Sequence, residues 1–174
     1  FNPLKIRLII TGNEVYNGLV QDRFQAIVER KVTALGATLV ETVILPDDRK
    51  MISHQIREYQ KKETDLIITT GGMSVDPDDV TKAGIEAAGF DQVHYSAAVL
   101  PGAMFLLGYS KTTAVMGLPA CGLYHETTIF DLILPRLMAG EKPGKRDLAK
   151  LCHGGLCHNC KPCRFPTCPF GKSG

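Results

Sequence analysis

The sequence predicts an α/β fold: a three-layer α/β/α sandwich around a mostly parallel central sheet, followed by a small metal-binding tail. Three observations predict it. Apolar, β-branched runs alternate with stretches of helical apolar spacing three times in succession between about residues 4 and 88. The links between them are short, as strand and crossover-helix units require. Three such units in succession suit a parallel sheet whose strands are covered on both faces.

Taken in order, Ile6, Leu8, Ile9 and Ile10 form a first buried strand that ends at Thr11-Gly12-Asn13-Glu14. Phe24, Ile27, Val28, Val32 and Leu35 then recur at helical spacing, and Gly36 is placed to end that helix. Residues 38–45 are rich in β-branched side chains and read as a second strand. After Pro46, either Asp47 or Asp48 can cap a helix whose apolar side carries Met51, Ile52, Ile56 and Tyr59. The third unit runs from Asp65 into Gly71-Gly72-Met73-Ser74 and an acidic helix start, with the helix spanning about Asp79 to Ala88. Residues 93–99 and 112–116 read as further strands. The last helix is expected over about 123–138, loosened at Pro135. Right-handed crossovers place the three strand ends along one rim, where open sheets of this kind hold their ligands.

Composition narrows the function. The 174 residues suffice for one core, no apolar run approaches the ~20 residues of a membrane span, and no charged-then-apolar leader opens the chain. A soluble, cytoplasmic protein without a membrane partner is expected, and the start at Phe1 reads as a domain of a longer polypeptide. Residues 1–140 carry 13 basic and 16 acidic side chains, a balance of −3, whereas residues 141–174 carry 7 and 2, a balance of +5. A mildly acidic body argues against nucleic acid, which needs a basic footprint. Anion binding must then come from backbone, helix ends or metal.

The Gly71-Gly72 turn supplies bare amides beside a helix N-terminus, an arrangement built to hold phosphate, although glycines after a strand also serve simply to turn tightly. Ser74 adds a hydroxyl. Asp76, Asp78 and Asp79 put three carboxylates within four positions, where they repel one another unless a cation or a capped amide relieves them. Capping uses one at most, which leaves the others for magnesium. Asp48 and Glu14, at the other two strand ends, are further candidates, each with an ordinary alternative as helix cap and solvated loop acid.

These residues together resemble a family, the molybdopterin-binding domain shared by MogA, MoaB and MoeA-type molybdenum cofactor biosynthesis proteins. The resemblance rests on Thr11-Gly12-Asn13-Glu14 with Gly18 and Asp22, Asp48, Gly71-Gly72-Met73-Ser74 with Asp79, Pro101-Gly102, and Gly117-Leu118-Pro119, in family order over about residues 4–140. It implies a domain that binds a dithiolene pterin with a terminal phosphate, commonly as a trimer. Relatives adenylylate molybdopterin with magnesium and ATP, or insert molybdate into the adenylylated form. By resemblance, Asp79 and Asp48 are the catalytic acids, Asp79 also a magnesium ligand. The cofactor-binding set is Thr11, Gly12, Asn13, Glu14, Thr70, Gly71, Gly72, Met73, Ser74 and Pro119. Phosphoryl transfer suits such a site, because it needs positioning and charge neutralisation more than a nucleophile. The chain departs from the MoeA pattern where Ala120-Cys121-Gly122 replaces Gly-Asn-Pro, removing a side-chain amide. A carrier or sensor that binds without turnover is therefore a second expectation. Asp78-Asp79-Val80-Thr81 also resembles CinA-type proteins, which act on nucleotide pyrophosphates such as ADP-ribose.

Residues 141–150 mix charge, proline and glycine without an apolar period and read as a basic linker. The cysteine-rich tail, residues 151–174, holds five of the six cysteines. Cys157, Cys160, Cys163 and Cys168 give two C-x₂-C steps and a four-residue gap before Cys168-Pro169. That is one residue longer than the ferredoxin run. Cys152, His153 and His158 offer extra ligands for zinc instead. Zinc and an iron–sulfur cluster both stay open, with a protein partner docking on the tail a further expectation. With few sizeable apolar residues, the tail is expected to need metal to fold.

Overall fold

The computed structural model describes residues 2–73 and 80–172. Six strands form one sheet: β1 (Lys5–Thr11), β2 (Thr38–Leu45), β3 (Leu66–Thr70), β4 (Gln92–Tyr95), β5 (Leu106–Tyr109) and β6 (Ala114–Leu118). Their spatial order is β2-β1-β3-β6-β5-β4. The first four in that order run parallel; β5 runs against them, and β4, antiparallel to β5, closes the far edge. The helices are α1 (Asn13–Tyr16), α2 (Phe24–Ala34), α3 (Arg49–Lys61), α4 (Val80–Ala87), α5 (Ile129–Met138) and α6 (Lys145–Lys150).

Alternate side chains of the central strands feed two cores. Ile6, Leu8 and Ile10 of β1, with Ile68 and Met116, meet Val28 and Val32 of α2 and Ile133 and Leu134 of α5 on one face. Ile9 and Ile67 meet Ile52, Ile56 and Ile85 of α3 and α4 on the other. This is the three-layer α/β/α sandwich, and the double cover explains why every residue of β3 and all of β1 after Lys5 are buried. On the first face Lys31 of α2 pairs with Asp131 of α5 at 2.6 Å, both side chains largely buried. Asp131 also closes a capping box with Thr128. That box explains why the last helix begins at Ile129 instead of near residue 123: Ala120–Leu123 forms a 3₁₀ turn, and the intervening chain leads to a strong N-cap.

The C-terminal third departs most from expectation. Lys145–Lys150 is helical, not a solvated linker: Asp147 accepts from the Gly144 amide at 3.0 Å, and Leu148 is 3% exposed. One apolar residue placed toward the core is enough to order a turn and a half. Nor does the tail stand alone. Leu151 and Phe170 join the core on the α5 side, with Phe165 and Cys168 packed against it. Backbone bonds at Leu100, to the Gly155 carbonyl and from the Cys157 amide at 2.7 Å, tie the tail to the loop after β4. The tail therefore shares the body's core instead of enclosing one of its own.

Leu148→Ala and Phe170→Ala should each lower the unfolding free energy, by about 2–5 kcal/mol, in a single cooperative denaturant transition. An independent appendage would leave the main midpoint unmoved.

Candidate functional site

Register brings the strand ends level. Thr11 lies opposite Leu45, Ile10 opposite Thr70, and Thr70 opposite Leu118. The loops after β1, β2, β3 and β6 therefore leave the sheet along one rim. They are also bonded to one another. The Asn13 amide donates to Asp47 Oδ2 at 3.0 Å while the Asp47 amide donates to Asn13 Oδ1 at 3.1 Å, and the Gly12 amide reaches the Leu45 carbonyl at 3.2 Å. Spacing along the chain could not reveal this Asn13 and Asp47 exchange; adjacency of β1 and β2 with level ends was the missing signal.

Thr11, a residue expected at the ligand, turns its hydroxyl inward. Its Oγ1 lies 3.0 Å from the Thr70 carbonyl and 3.0 Å from the Thr81 hydroxyl, so β1, β3 and the first turn of α4 meet at one buried point. Gly71 sits on this knot with φ +82°, and a Cβ there would overlap the Thr11 carbonyl oxygen. Gly72 follows at φ +53°. Among the described residues no acceptor meets the Gly71 or Gly72 amide, and Thr70 Oγ1, fully buried, has no partner. Met73 is 6% exposed and packs on β6, where a Cβ on Gly117 would come within 2.6 Å of its Cε. It anchors the turn from below and does not face the rim.

Asp48, Asp22 and Glu14 sit at helix starts. Asp48 caps α3, its Oδ1 accepting from the Met51 amide at 2.8 Å, and Asp22 accepts from the amides of Phe24 and Gln25 at the start of α2. Glu14 is exposed in the first turn of α1. Ser74 and Asp79, with Asp76 and Asp78, lie outside the described residues.

Beyond β6, Pro119 borders two spaces. One, a narrow space of about 20 Å³, is walled by Phe24, Val28, Phe130 and Cys121. The other is an open cleft of about 450 Å³ formed by Pro101, Gly102, Met104, Pro119, His125 and Cys157. Gly102 (φ +122°) presses against Ile129, whose amide donates to the Pro101 carbonyl at 3.2 Å. His125 Nδ1 is buried without a partner among the described residues, and burial pushes the Cys121 thiol up from its ordinary pKa. The contribution of Leu156 and Cys157 to this cleft was not legible, because only the docking of the tail brings them there.

Among the described residues no three His, Cys, Asp or Glu side chains gather closely enough to hold a single metal ion. Of the extra zinc ligands expected, Cys152 and His153 are exposed and do not line the cavity of the four later cysteines, whereas His158 does.

A mostly parallel sheet whose carboxyl rim bears an amide-lined glycine turn defines an α/β domain of the small-ligand-binding class. Residues 7–139 match the family described as "Probable molybdopterin binding domain". The chain belongs to that family, the molybdopterin-binding domains of molybdenum cofactor biosynthesis. It is similar to a molybdopterin molybdenumtransferase of Haemophilus influenzae, 28% identical over 156 residues that cover 84% of this chain and 38% of that protein. A CinA-like protein of Thermosipho melanesiensis is 35% identical over 78 residues, 45% of this chain and 19% of the relative. The chain thus spans well under half the length of these relatives. In fold it is similar to the molybdopterin biosynthesis enzyme MoaB of Thermus thermophilus, with a TM-score of 0.64 and 21% identity over 82% of this chain and 99% of that one.

Gly71→Ala should be the costlier of two glycine substitutions. Gly18, at φ +71° with open space around it, meets only the backbone strain, about 1–3 kcal/mol. Gly71→Ala adds the collision with Thr11, so its loss in urea unfolding should exceed that of Gly18→Ala by about 1–3 kcal/mol.

Proposed function

We propose that the rim formed by the loops after β1, β2, β3 and β6 binds molybdopterin or its adenylylated form. The observation that carries this reading is the Gly71 and Gly72 turn, its amides unengaged among the described residues, set level with the Asn13 and Asp47 pair and with Pro119. A terminal phosphate would lie against those amides, which bind an anion without bringing in a cation. The tricyclic pterin would extend toward the cleft at Pro101, Gly102 and Pro119, whose width and mixed lining suit a flat, polar-edged ring system. Membership of the molybdopterin-binding family supports the same ligand.

Magnesium fits this rim through hard carboxylates on neighbouring loops. Asp48 commits one oxygen to its helix cap and keeps the other outside it, and Asp79 is the further candidate. When bound, the metal would neutralise charge on a transferring phosphoryl group and its leaving pyrophosphate. The chain's own part is to hold the phosphate on the glycine turn and to fix the geometry of the two acidic loops. On this reading the reaction is adenylyl transfer from ATP or insertion of molybdenum, and the assembly is a homotrimer. A carrier without turnover would use the same rim. The similarity to a CinA-like protein favours a second reading, hydrolysis of a nucleotide pyrophosphate.

Asp48→Asn separates charge from capping, since asparagine caps a helix as well as aspartate does. We expect Asp48→Asn and Asp79→Asn to raise the Kd for molybdopterin about tenfold, about 1.4 kcal/mol, with magnesium present and to change it little without. Calorimetry under anaerobic conditions measures this, and unchanged affinity removes the residue concerned from the site. Pyrophosphate released from ATP and molybdopterin supports transfer, whereas tight binding without release supports the carrier. Release of AMP from ADP-ribose with no affinity for molybdopterin overturns the proposal in favour of the pyrophosphatase.

A further inference from the structure

The four later cysteines of the tail surround one cavity. Cys157, Cys160, Cys163 and Cys168 all line a cavity of about 100 Å³ whose other walls include His158, Phe165 and Phe170, the two phenyl rings packed edge to face at 6.4 Å. All four thiols are free. The loop that carries them is held from outside. Phe170 is buried in the body's core and Leu100 is bonded on both sides of Leu156. Thr127, just ahead of α5, places its hydroxyl 3.4 Å from Cys163 Sγ. The thiols are thus positioned by packing.

Their number and order bear on what they can hold. Iron–sulfur clusters are held by cysteine thiolates, four in the common types, and four cysteines line this one cavity together with His158. The charge agrees. A thiolate-ligated cluster is anionic, and Lys161, Arg164 and Lys172 stand on this tail as exposed cations with no ion pair among the described residues. Two C-x₂-C steps and a proline after the last cysteine follow the same chemistry in sequence.

We propose that Cys157, Cys160, Cys163 and Cys168 hold an iron–sulfur cluster in the cavity they ring together. Cys157 also lines the cleft beside Pro119 and His125, so the cluster forms part of the wall between tail and rim. This inference stands on the tail's geometry and does not depend on the ligand of the rim.

The test is the metal and sulfide content of the full chain, purified without oxygen and then incubated with iron and sulfide. A brown protein is expected, with about four iron and about four acid-labile sulfide per chain. Cys160→Ser and Cys163→Ser should each lose more than half of the iron and the visible absorption. Cys121→Ser and Cys152→Ser, which leave the cavity untouched, should keep both. A colourless wild-type protein carrying one zinc overturns the proposal, as does one that retains no metal. Full iron retention by a Cys160→Ser, Cys163→Ser double variant overturns it equally. Circular dichroism of each variant separates loss of the cluster from loss of fold.

Discussion

The contact on which the rim depends is the seating of the Gly71 turn on the carbonyl of Thr11. Two adjacent parallel strands end at the same level, and the chain leaving β3 must cross the end of β1 at a separation no Cβ would permit. Thr11 secures the crossing by reaching both the Thr70 carbonyl and Thr81. A buried hydroxyl with two partners is worth roughly 1 kcal/mol per bond, and its larger effect is geometric, since an unmet carbonyl at that depth would cost more. The amides of Gly71 and Gly72 find no acceptor among the described residues, so the same crossing that closes the core leaves these donors unengaged there. Fold and proposed binding surface thus share one constraint.

Electrostatics sharpens the role of those donors. The described loops at the rim carry Glu14, Asp47 and Asp48, and Asp47 is tied to Asn13. Side chains of this sign repel a phosphate, so attraction must come from backbone dipoles or from a cation that the carboxylates collect. Asp48 already spends one oxygen on the α3 cap, which fixes its orientation and lowers the entropy that a second role would have to overcome. A cap residue held in place at the edge of a site is better prepared to accept a cation than a freely rotating loop acid such as the exposed Glu14.

Much of the fold was legible because local signals agreed with tertiary ones. Residues 38–45 form β2 over the span read from their β-branched content, Gly36 ends the preceding turn at φ +84°, and Asp48 caps α3. Where local signals were thin, the reading failed. Leu106–Tyr109 is a strand of four residues interrupted by Gly108, and it exists because β6 and β4 pair with it on either side. At the candidate site, the loops were legible because strand ends are written in the sequence. The orientations of Thr11 and Met73 were not, since period-two alternation turns a side chain inward or outward according to a register that only pairing fixes.

The tail shows the same dependence from the other direction. Its own apolar residues are too few to enclose a core, yet it is ordered. Leu151 and Phe170 complete a surface that α5 and the loop after β4 leave open, while Gly155 lets the backbone approach the Ala98 carbonyl and Gly171 lies over Leu132. The residues that build this seam are small or apolar; Cys157 and Cys168 pack partly against it, and Cys160 and Cys163 stay exposed. Docking therefore fixes the cysteine loop with the rigidity of the α/β body, and through Leu156 and Cys157 it makes that loop one side of the cleft at Pro119. Cys157 lines both the cysteine cavity and the cleft, so any ligand effect on its position in one would be felt in the other, and by reciprocity of linkage to the same extent in both directions.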